Sequence, residues 1–254
     1  MKHHITTLSA AIAGLRIALL AIALALFGAS SASTEQAGAP SPQQIVEQAV
    51  AAYESCNTYM DSGRVQIIFI TSQGRRTVVR PFTTSFVRPA AFRFEFQDRH
   101  GEYEWNQYIV WRQDAAIKSW YSIKPVVKDH DNLSSAVAGA SGVSGGSANR
   151  IPSLLMPDLL RGSAIKSLTG LKLIGEEQVE SKAAYKIEGQ YPRGGGATLW
   201  IDKQRKLILK VFEKRTVPGR GTTEDFETET TTFYDPQINE DVPAARLAFN
   251  PPAR

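Results

Sequence analysis

The segment at residues 87–96 constrains the fold of this chain most strongly, because aromatic and polar side chains alternate along it. Phe92, Phe94 and Phe96 are each separated by one polar residue, and Pro89 is predicted at the head of the strand, where its missing N–H does least harm. Side chains two positions apart on a strand share a face, so one face is an aromatic wall and the other carries charge. Such a strand is typical of an antiparallel sheet with one dry and one solvated face. The wall is either ordinary core or the lining of a cavity for an apolar ligand.

Period-two patterns on both sides of this strand predict a mainly antiparallel sheet of about ten strands. The first group forms a meander of about five strands, at residues 65–70, 77–86, 87–96, 103–112 and 117–123. The second group lies at residues 171–179, 184–188, 197–201, 207–214 and 226–234. The tail at residues 247–252 is predicted as a last edge strand that prolines end. A sheet of this length curls or closes, because its edges would otherwise remain unpaired.

A first helix is predicted from Pro42 to about Cys56. Ser41 stands at the N-cap, a proline follows at the first helical position, and Gln44 completes a capping box. Apolar residues then recur at helical spacing, which gives the helix one buried face. Cys56 is the only cysteine, so the chain has no internal disulfide, and we predict a buried and inert thiol.

The middle of the chain, about residues 131–168, differs from the flanking strands. Residues 133–140 have a helical composition, residues 138–148 are small and rich in glycine, and residues 151–160 are apolar with two prolines. Short helices joined by glycine hinges fit a mobile lid over a cavity. They fit a packed connection between two sheets equally well, and the sequence leaves both interpretations open.

Residues 1–33 are predicted to be an export signal. Lys2 and Arg16 precede an apolar run at residues 17–27, and small residues at 30–32 fit a cleavage site. An uncleaved anchor would have to bury Arg16 in the membrane, which disfavours it. We therefore expect an exported protein whose residues 34–254 form one domain.

Several kinds of chemistry are disfavoured by the sequence. The net charge is +4, and no basic run is interleaved with aromatic residues, so nucleic acid binding is not expected. Residues 142–146 match G-x-S-x-G, but the strand and the long helix that a nucleophile elbow requires are missing, which makes an esterase at Ser144 a minor hypothesis. Asp129, His130 and Asp131 are adjacent and cannot easily converge on one ion. We therefore predict no enzyme activity, no cofactor and no metal.

Apolar side chains that could line a cavity are abundant in the first sheet region and in the middle segment. The candidate ligand-binding residues are Phe69, Phe86, Phe92, Phe94, Phe96, Trp105, Tyr108, Trp111, Trp120, Leu154, Leu155, Met156 and Leu159. Concave and mostly apolar pockets are typical of small-ligand sites. An acyl chain suits such a lining, since each buried methylene contributes about 0.8 kcal/mol.

A short motif at residues 88–94, Arg-Pro-Ala-Ala-Phe-Arg-Phe, adds a resemblance to a known family. Together with the signal, the first helix, the aromatic hairpin and the terminal Phe-Asn-Pro-Pro of residues 249–252, it resembles the periplasmic lipoprotein-carrier superfamily of LolA/LolB-like proteins. Within it, the chain is most similar to a branch of predicted periplasmic proteins that share a segment like residues 136–155.

The resemblance implies an α+β fold in which a curved antiparallel sheet forms an incomplete, half-open barrel. An N-terminal helix and short helices would cover an apolar cavity. It also implies that Arg88 latches the lid through hydrogen bonds, for which a guanidinium offers five donors. The alternative for Arg88 is an exposed arginine at a strand end.

The resulting hypothesis is a non-enzymatic periplasmic carrier or binding protein for lipid, acyl chains or another hydrophobic ligand. Its expected partners are a lipid or lipoprotein acyl chain, with peripheral membrane contact, and a monomer is favoured. The alternative is an envelope protein-binding or stress-sensing module of the same fold without lipid transport.

Overall fold

The computed structural model describes residues 39–100, 104–219 and 224–252, except for the side chains of His100, Glu104 and Trp105. The predicted export signal lies outside the described residues. The strands are β1 (Thr58–Thr71), β2 (Gly74–Val87), β3 (Ala91–His100), β4 (Glu104–Gln113), β5 (Ala116–Tyr121), β6 (Lys124–Asp129), β7 (Thr169–Val179), β8 (Lys182–Gln190), β9 (Gly196–Asp202), β10 (Ile208–Val217), β11 (Phe226–Phe233) and β12 (Gln237–Ile238). The helices are α1 (Pro42–Ser55), α2 (Leu133–Val143), α3 (Ser147–Arg150), α4 (Pro152–Leu155) and α5 (Ala244–Leu247).

The described strands form one sheet in the order β6-β5-β4-β3-β2-β1-β11-β10-β9-β8-β7, with β12 beside β1. Every pairing in this order is antiparallel. Strands β1–β6 form one meander and β7–β11 form another, and the two meet where β1 pairs with β11. Within the described residues, β6 and β7 pair on one side only, and the sheet therefore stays open. Helices α2, α3 and α4 lie in the connection between the meanders. This confirms the predicted α+β class and the open antiparallel sheet.

Helix α1 begins with the predicted capping box. The hydroxyl of Ser41 accepts a hydrogen bond from the Gln44 amide at 3.2 Å, and the Ser41 amide donates to the Gln44 side chain at 2.9 Å. Two amides of the first turn are thereby satisfied. The buried face of α1 includes Ile45, Ala49 and Tyr53. No helix of the described residues is long and apolar enough to span a bilayer.

The larger of two hydrophobic clusters in the described part of the chain, the main core, joins the helices to both meanders. Phe94 of β3, Leu155 of α4 and Leu199 of β9 are fully buried in this core. Strands β3 and β9 belong to different halves of the sheet. Helix α1 contacts β7 and β9, whereas α2 contacts β4 and β5. The sheet thus places its inner face around the helices from both sides. Because the chain has no disulfide, this core has to provide the stability of the fold. Cys56 is a buried free thiol within it.

Three details differ from the sequence-based prediction. Residues 87–96 are not one strand, because β2 ends at Val87 and residues 88–90 turn, with the Ala90 amide donating to the Val87 carbonyl at 3.2 Å. Pro89 follows a cis peptide bond in this turn and has no N–H for the sheet. Strand β6 was missed, because its sequence is polar and contains a proline. The predicted edge strand at 247–252 is wrong, since the chain forms helix α5 and then an irregular tail.

The irregular tail lies against the outer face of the sheet through an aromatic contact. The indole N–H of Trp111 donates to the Leu247 carbonyl at 2.7 Å, and the ring of Phe249 lies 5.5 Å from that of Trp111. These contacts replace the strand pairing that the sequence predicted for this segment.

Candidate functional site at the mouth of the half-barrel

The aromatic wall of β3 is filled by the chain's own side chains. Phe92, Phe94 and Phe96 are at most 1% exposed, and Leu154 and Leu155 of α4 are fully buried in the same core. The wall is therefore core in this arrangement, one of the two interpretations that the sequence left open. Any ligand that reaches it must displace the helices.

Open space lies instead at one end of the sheet, where a cavity of about 670 Å³ separates the connection between α2 and α3 from strands β1, β2, β10 and β11. We call it the mouth cavity. Its apolar lining consists of Ile67, Phe69, Val143 and Val217, its charged lining of Arg80, Arg150, Glu213 and Arg215, and its hydroxyl lining of Ser141, Thr228 and Thr230. Small-ligand sites usually have volumes of about 300–1,000 Å³, and the mouth cavity falls within that range.

Strand register shows that Arg80, Glu213 and Arg215, the charged lining residues that lie on strands, share the inner face with the aromatic wall. Phe69 stands opposite Arg76 of β2 and Thr228 of β11, and Thr228 in turn stands opposite Arg215 of β10. Directly opposed residues of an antiparallel pair point to the same side. The inner face therefore changes from apolar near α1 to charged at the mouth cavity.

Arg150 of α3 is a buried charge at the mouth cavity. Its guanidinium donates to Glu213 Oε2 at 2.8 Å, to Thr232 Oγ1 at 3.1 Å and to the Tyr234 hydroxyl at 3.4 Å. Tyr191 donates to the other oxygen of Glu213 at 2.5 Å. Arg150 and Glu213 are each 5% exposed, so this ion pair joins α3 to β10 in a nearly dry environment.

The charges of this pair are maintained by their surroundings. Burial by itself opposes ionisation of Glu213, but Arg150, the Tyr191 hydroxyl and Arg215 together outweigh it and lower the pKa of the carboxyl group. Burial likewise disfavours the charged Arg150, and its partners, Tyr234 and Glu213 first, raise its pKa above the usual value. The pKa of Tyr191 is raised by burial and by Glu213, so its hydroxyl stays protonated as a donor. Glu213 is thus a carboxylate at neutral pH.

The connection between α2 and α3 approaches the sheet closely because it contains glycines. Gly145 has a φ of +62°, and a Cβ atom there would lie 2.9 Å from Val65 Cγ1 and 3.3 Å from Ile67 Cδ1. Gly146 has a φ of +84°. Both residues adopt left-handed backbone conformations that favour glycine. The glycine-rich segment therefore forms one wall of the mouth cavity.

Arg88, the predicted lid latch, connects α1 and α4. Its guanidinium donates to the Leu155 carbonyl at 3.1 Å, to the Glu54 carbonyl at 2.9 Å and to the Cys56 carbonyl at 3.0 Å. The carbonyls at the end of α1 have no helical partner, and Arg88 satisfies them. The hydrogen bond to the lid is present as the resemblance implies, while its role in gating stays a prediction.

The other predicted lining residues lie in several places. Phe69 lines the mouth cavity, and Tyr108 stacks on Phe96 at a ring distance of 5.8 Å. The fully or almost fully buried core contains Phe86, Phe92, Phe94, Phe96, Leu154, Leu155 and Met156. Leu159 is 41% exposed, and the side chain of Trp105 lies outside the described residues.

Trp111 and Trp120 do not belong to the aromatic wall. Trp111 stands opposite Arg93, and Trp120 stands opposite Ile109, which in turn stands opposite Glu95. Arg93 and Glu95 alternate with the wall phenylalanines, so both tryptophans lie on the outer face. The prediction grouped them by their position in sequence, but Trp111 lies three residues after Tyr108 in β4 and Trp120 lies one residue before Tyr121 in β5, so each is out of phase with an inward-facing tyrosine.

The charged residues of the mouth cavity were missed by the sequence analysis. Strict alternation along β2 and β10 would have placed Arg80 on the face of Phe82, and Glu213 on the face of Val211. No alternation pattern could have located Arg150, because it lies on α3 and its position depends on how that helix packs.

Two motifs that the sequence singled out, the G-x-S-x-G motif at Ser144 and the possible metal ligands around His130, lack the surroundings that an esterase or a metal site requires. Ser144 lies between α2 and α3, and its hydroxyl accepts a hydrogen bond from the Ala148 amide at 3.2 Å. A nucleophile elbow follows a strand, and this serine follows a helix. His130 lies 2.7 Å from the Ser119 hydroxyl, and the described residues contain no group of three or more potential metal ligands from His, Cys, Asp and Glu.

A further cavity of about 440 Å³ lies on the outer face of the sheet, lined by residues including Ser62, Arg64, Thr83 and Glu95. These residues alternate with those of the inner face, so the charged and hydroxyl lining of this cavity lies on the side of the sheet that faces away from the helices. We therefore regard the mouth cavity as the candidate site.

No protein-family model matches this chain, and no curated protein sequence matches it. Solved structures are similar to it over most of its length. A LolA superfamily protein from Nitrosomonas europaea is 12% identical, with 83% of this chain and 98% of that chain covered and a TM-score of 0.33.

Two further solved structures are similar at comparable distance. The lipoprotein LppX from Mycobacterium tuberculosis is 12% identical, with 80% of this chain and 97% of that chain covered and a TM-score of 0.44. In the MucA/MucB complex of Pseudomonas aeruginosa the identity is 13%, with 82% of this chain and 61% of that chain covered and a TM-score of 0.41. Similarities this distant carry no conclusion about ligand or activity.

Proposed function

We propose that this chain is a periplasmic carrier or binding protein for a lipid, an acyl chain or another hydrophobic ligand. The observation that carries the proposal is the change along the inner face of the sheet, from the charged mouth cavity to the aromatic wall of β3. An amphiphile has the same two parts, since its head is polar and its tail needs an apolar environment.

The helices over the wall have the properties of a lid. α3 and α4 contain four residues each, so most of their stability comes from contacts with the sheet rather than from their own backbone hydrogen bonds. Specific side chains hold them, with Arg88 bonded to Leu155 and Arg150 bonded to Glu213. Movement of such a segment requires the loss of a few identifiable contacts.

Ligand uptake would exchange one set of apolar contacts for another. The tail would enter from the mouth cavity past Ile67 and Phe69, and it would replace Leu154 and Leu155 against the wall. Each methylene buried contributes about 0.8 kcal/mol, so a chain of moderate length offsets the contacts that α4 loses. Arg88 would release α4 in the open form and hold it in the closed form.

The export signal predicted at residues 1–33 and the family resemblance support a periplasmic location. In that compartment a lipid, or the acyl chain of a lipoprotein, is the expected ligand, and contact with a membrane surface would accompany loading or release. The proposal requires no cofactor and no catalytic residue.

The test is lipid analysis of protein that has been purified from the periplasm in its mature form. Native mass spectrometry should show a bound species that organic extraction removes and that carries an acyl chain. Protein of a single unliganded mass, combined with no binding of a fluorescent fatty acid, would contradict the proposal.

Docking of an envelope protein is a second candidate function, favoured by the edge strand β6. Val126 and Val127 of this strand are 58% and 43% exposed, and the described residues pair with only one side of it. Unpaired strand edges can accept a strand from a partner. A pull-down from the periplasm that retains a protein and no lipid would favour this candidate over lipid binding.

A further inference from the structure

We propose that the mouth cavity recognises an anionic head group, a carboxylate or a phosphate, through Arg80, Arg150 and Arg215. This inference rests on the proposed binding of an amphiphile and specifies the class of amphiphile. Neither the motif at residues 88–94 nor the aromatic wall suggests a charge preference.

The charge balance at the mouth cavity favours an anion. Three of the lining residues are arginines, and Glu213 is the single carboxylate among the described lining residues. Asp98 pairs with Arg80 at 3.0 Å from outside this lining, and positive charge remains in excess when it is included. Arg76 adds to the excess, because its guanidinium lies 4.8 Å from the centre of the Phe69 ring.

Arg150 has unused hydrogen-bonding capacity at this site. Although only 5% of the residue is exposed, its Nε–H has no hydrogen-bond partner in the part of the chain that the structure describes. A buried donor without a partner costs free energy, and a bound oxyanion would be one way to satisfy it. Guanidinium groups match carboxylate and phosphate geometry with paired donors.

The remaining lining fits the two parts of such a ligand. The hydroxyl group of Thr230 is a further donor beside the arginines, while Ile67 and Val143 form an apolar surface next to it. A head group at the arginines would therefore leave its chain directed along the apolar lining toward the core. A cationic head group would meet repulsion from the same arginines.

The experiment measures binding of four ligands that share one chain and differ in the head group. These are dodecanoate, dodecyl phosphate, dodecanol and dodecyltrimethylammonium, each below its micellar concentration and in competition with a fluorescent fatty acid. We expect at least one of the two anions to bind about tenfold more tightly than dodecanol, with the cation weakest. A preference for dodecanoate would identify a fatty acid, and one for dodecyl phosphate a phosphate-bearing lipid.

Matched variants connect the preference to the mouth cavity. Arg80→Gln/Arg215→Gln should bind the anions and dodecanol with similar affinity, whereas Arg64→Gln/Arg75→Gln removes two arginines paired with Glu180 and Glu229 and should keep the preference. If the first double variant does not fold, Arg215→Gln alone should reduce the preference, since this side chain is 61% exposed.

The outcomes separate this inference from the proposed function. Equal binding of all four ligands, or a preference that the mouth variants leave unchanged, would overturn the head-group inference while lipid binding stands. Absence of binding by all four would contradict the proposed function itself.

Discussion

The guanidinium of Arg88 donates a hydrogen bond to the Leu155 carbonyl at 3.1 Å, and so ties the turn between β2 and β3 to the helix that covers the aromatic wall. The same side chain binds the last carbonyls of α1. One residue thereby connects the N-terminal helix, the sheet and the proposed lid, which makes it the first place to test whether the lid moves.

Arg88→Leu should loosen α4 while most of the fold persists. The substitution removes three hydrogen bonds from a charged donor, and we expect the amides of Leu155 and Met156 to exchange with deuterium about tenfold faster or more, since a charged hydrogen bond contributes about 1.5–3 kcal/mol. Ligand release should also become faster. Hydrogen exchange followed by mass spectrometry, together with stopped-flow release of a fluorescent fatty acid, measures both.

Arg112→Leu is the matched control for this variant. Arg112 donates to the Pro89 carbonyl of the same turn at 2.8 Å, and no hydrogen bond from it to α1 or α4 is seen among the described residues. Its exchange and release rates should match the wild type. Equal rates for Arg88→Leu and the wild type would remove Arg88 from the gating mechanism.

Asp61→Asn should change how stability depends on pH. Burial raises the pKa of Asp61 to about 6, against the opposing hydrogen bonds from Tyr59 and Thr84. Between about pH 4 and 6 the folded protein holds a proton that the unfolded chain has released, so the free energy of unfolding falls as pH rises through this window. The variant lacks this term, and its stability relative to the wild type should increase by about 3 kcal/mol from pH 4 to pH 7.

Denaturant unfolding at several pH values measures this difference, and Asp202→Asn provides a control of opposite sign. Burial opposes ionisation of Asp202, but hydrogen bonds from Arg205 and Gln204 outweigh it and lower the pKa. Its variant should therefore lose stability relative to the wild type as pH rises through the acidic range. A stability difference for Asp61→Asn that stays constant with pH would contradict the account of this buried carboxyl group.

Gly145→Ala should destabilise the protein by about 1 kcal/mol or more, because alanine is strained at its left-handed backbone conformation and its Cβ would contact Val65. Gly142→Ala is the matched control within the same segment. No atom lies within 4 Å of a Cβ there, and the residue is in α2, where alanine is favoured over glycine by up to about 1 kcal/mol. Thermal unfolding should therefore separate the two variants, and similar melting temperatures would contradict the described turn.

Arg150→Met should be far more damaging than its combination with Glu213→Gln. The single change leaves Glu213 buried without its main cation, which costs about 3–5 kcal/mol. In the double variant the uncharged amide side chain at position 213 would still accept a hydrogen bond from Tyr191, so most of that cost should be absent. Equal losses of unfolding free energy in both variants would contradict the claim that the unpaired Glu213 carboxylate causes the damage in Arg150→Met.

The fold was largely predictable because its signals are local. Alternation predicted most strands, and the capping box at Ser41 and Gln44 predicted the start of α1 to the residue. The failures arose where tertiary contacts decide. β6 exists because β5 pairs with it, and the tail follows the hydrogen bond from Trp111 to Leu247 rather than a strand pattern.

The site was less predictable than the fold. Sequence analysis identified apolar residues but could not tell whether Phe92 and Phe94 face a ligand or the chain's own helix. It grouped Trp111 and Trp120 with the wall residues by their position in the first sheet region, whereas alternation along β4 and β5 places both on the outer face. Arg150 reaches the mouth cavity only through the packing of α3, for which no local pattern exists.

The central claim is that an acyl chain can take the place of α4 against the aromatic wall, and photo-crosslinking tests it most directly. A fatty acid with a diazirine at the end of its chain is bound, irradiated, and located by peptide mass spectrometry. The account predicts crosslinks in β3 around Phe94 and in α4 around Leu155. Crosslinks confined to exposed residues such as Val126 and Val127, or none above the level of a denatured control, would contradict it.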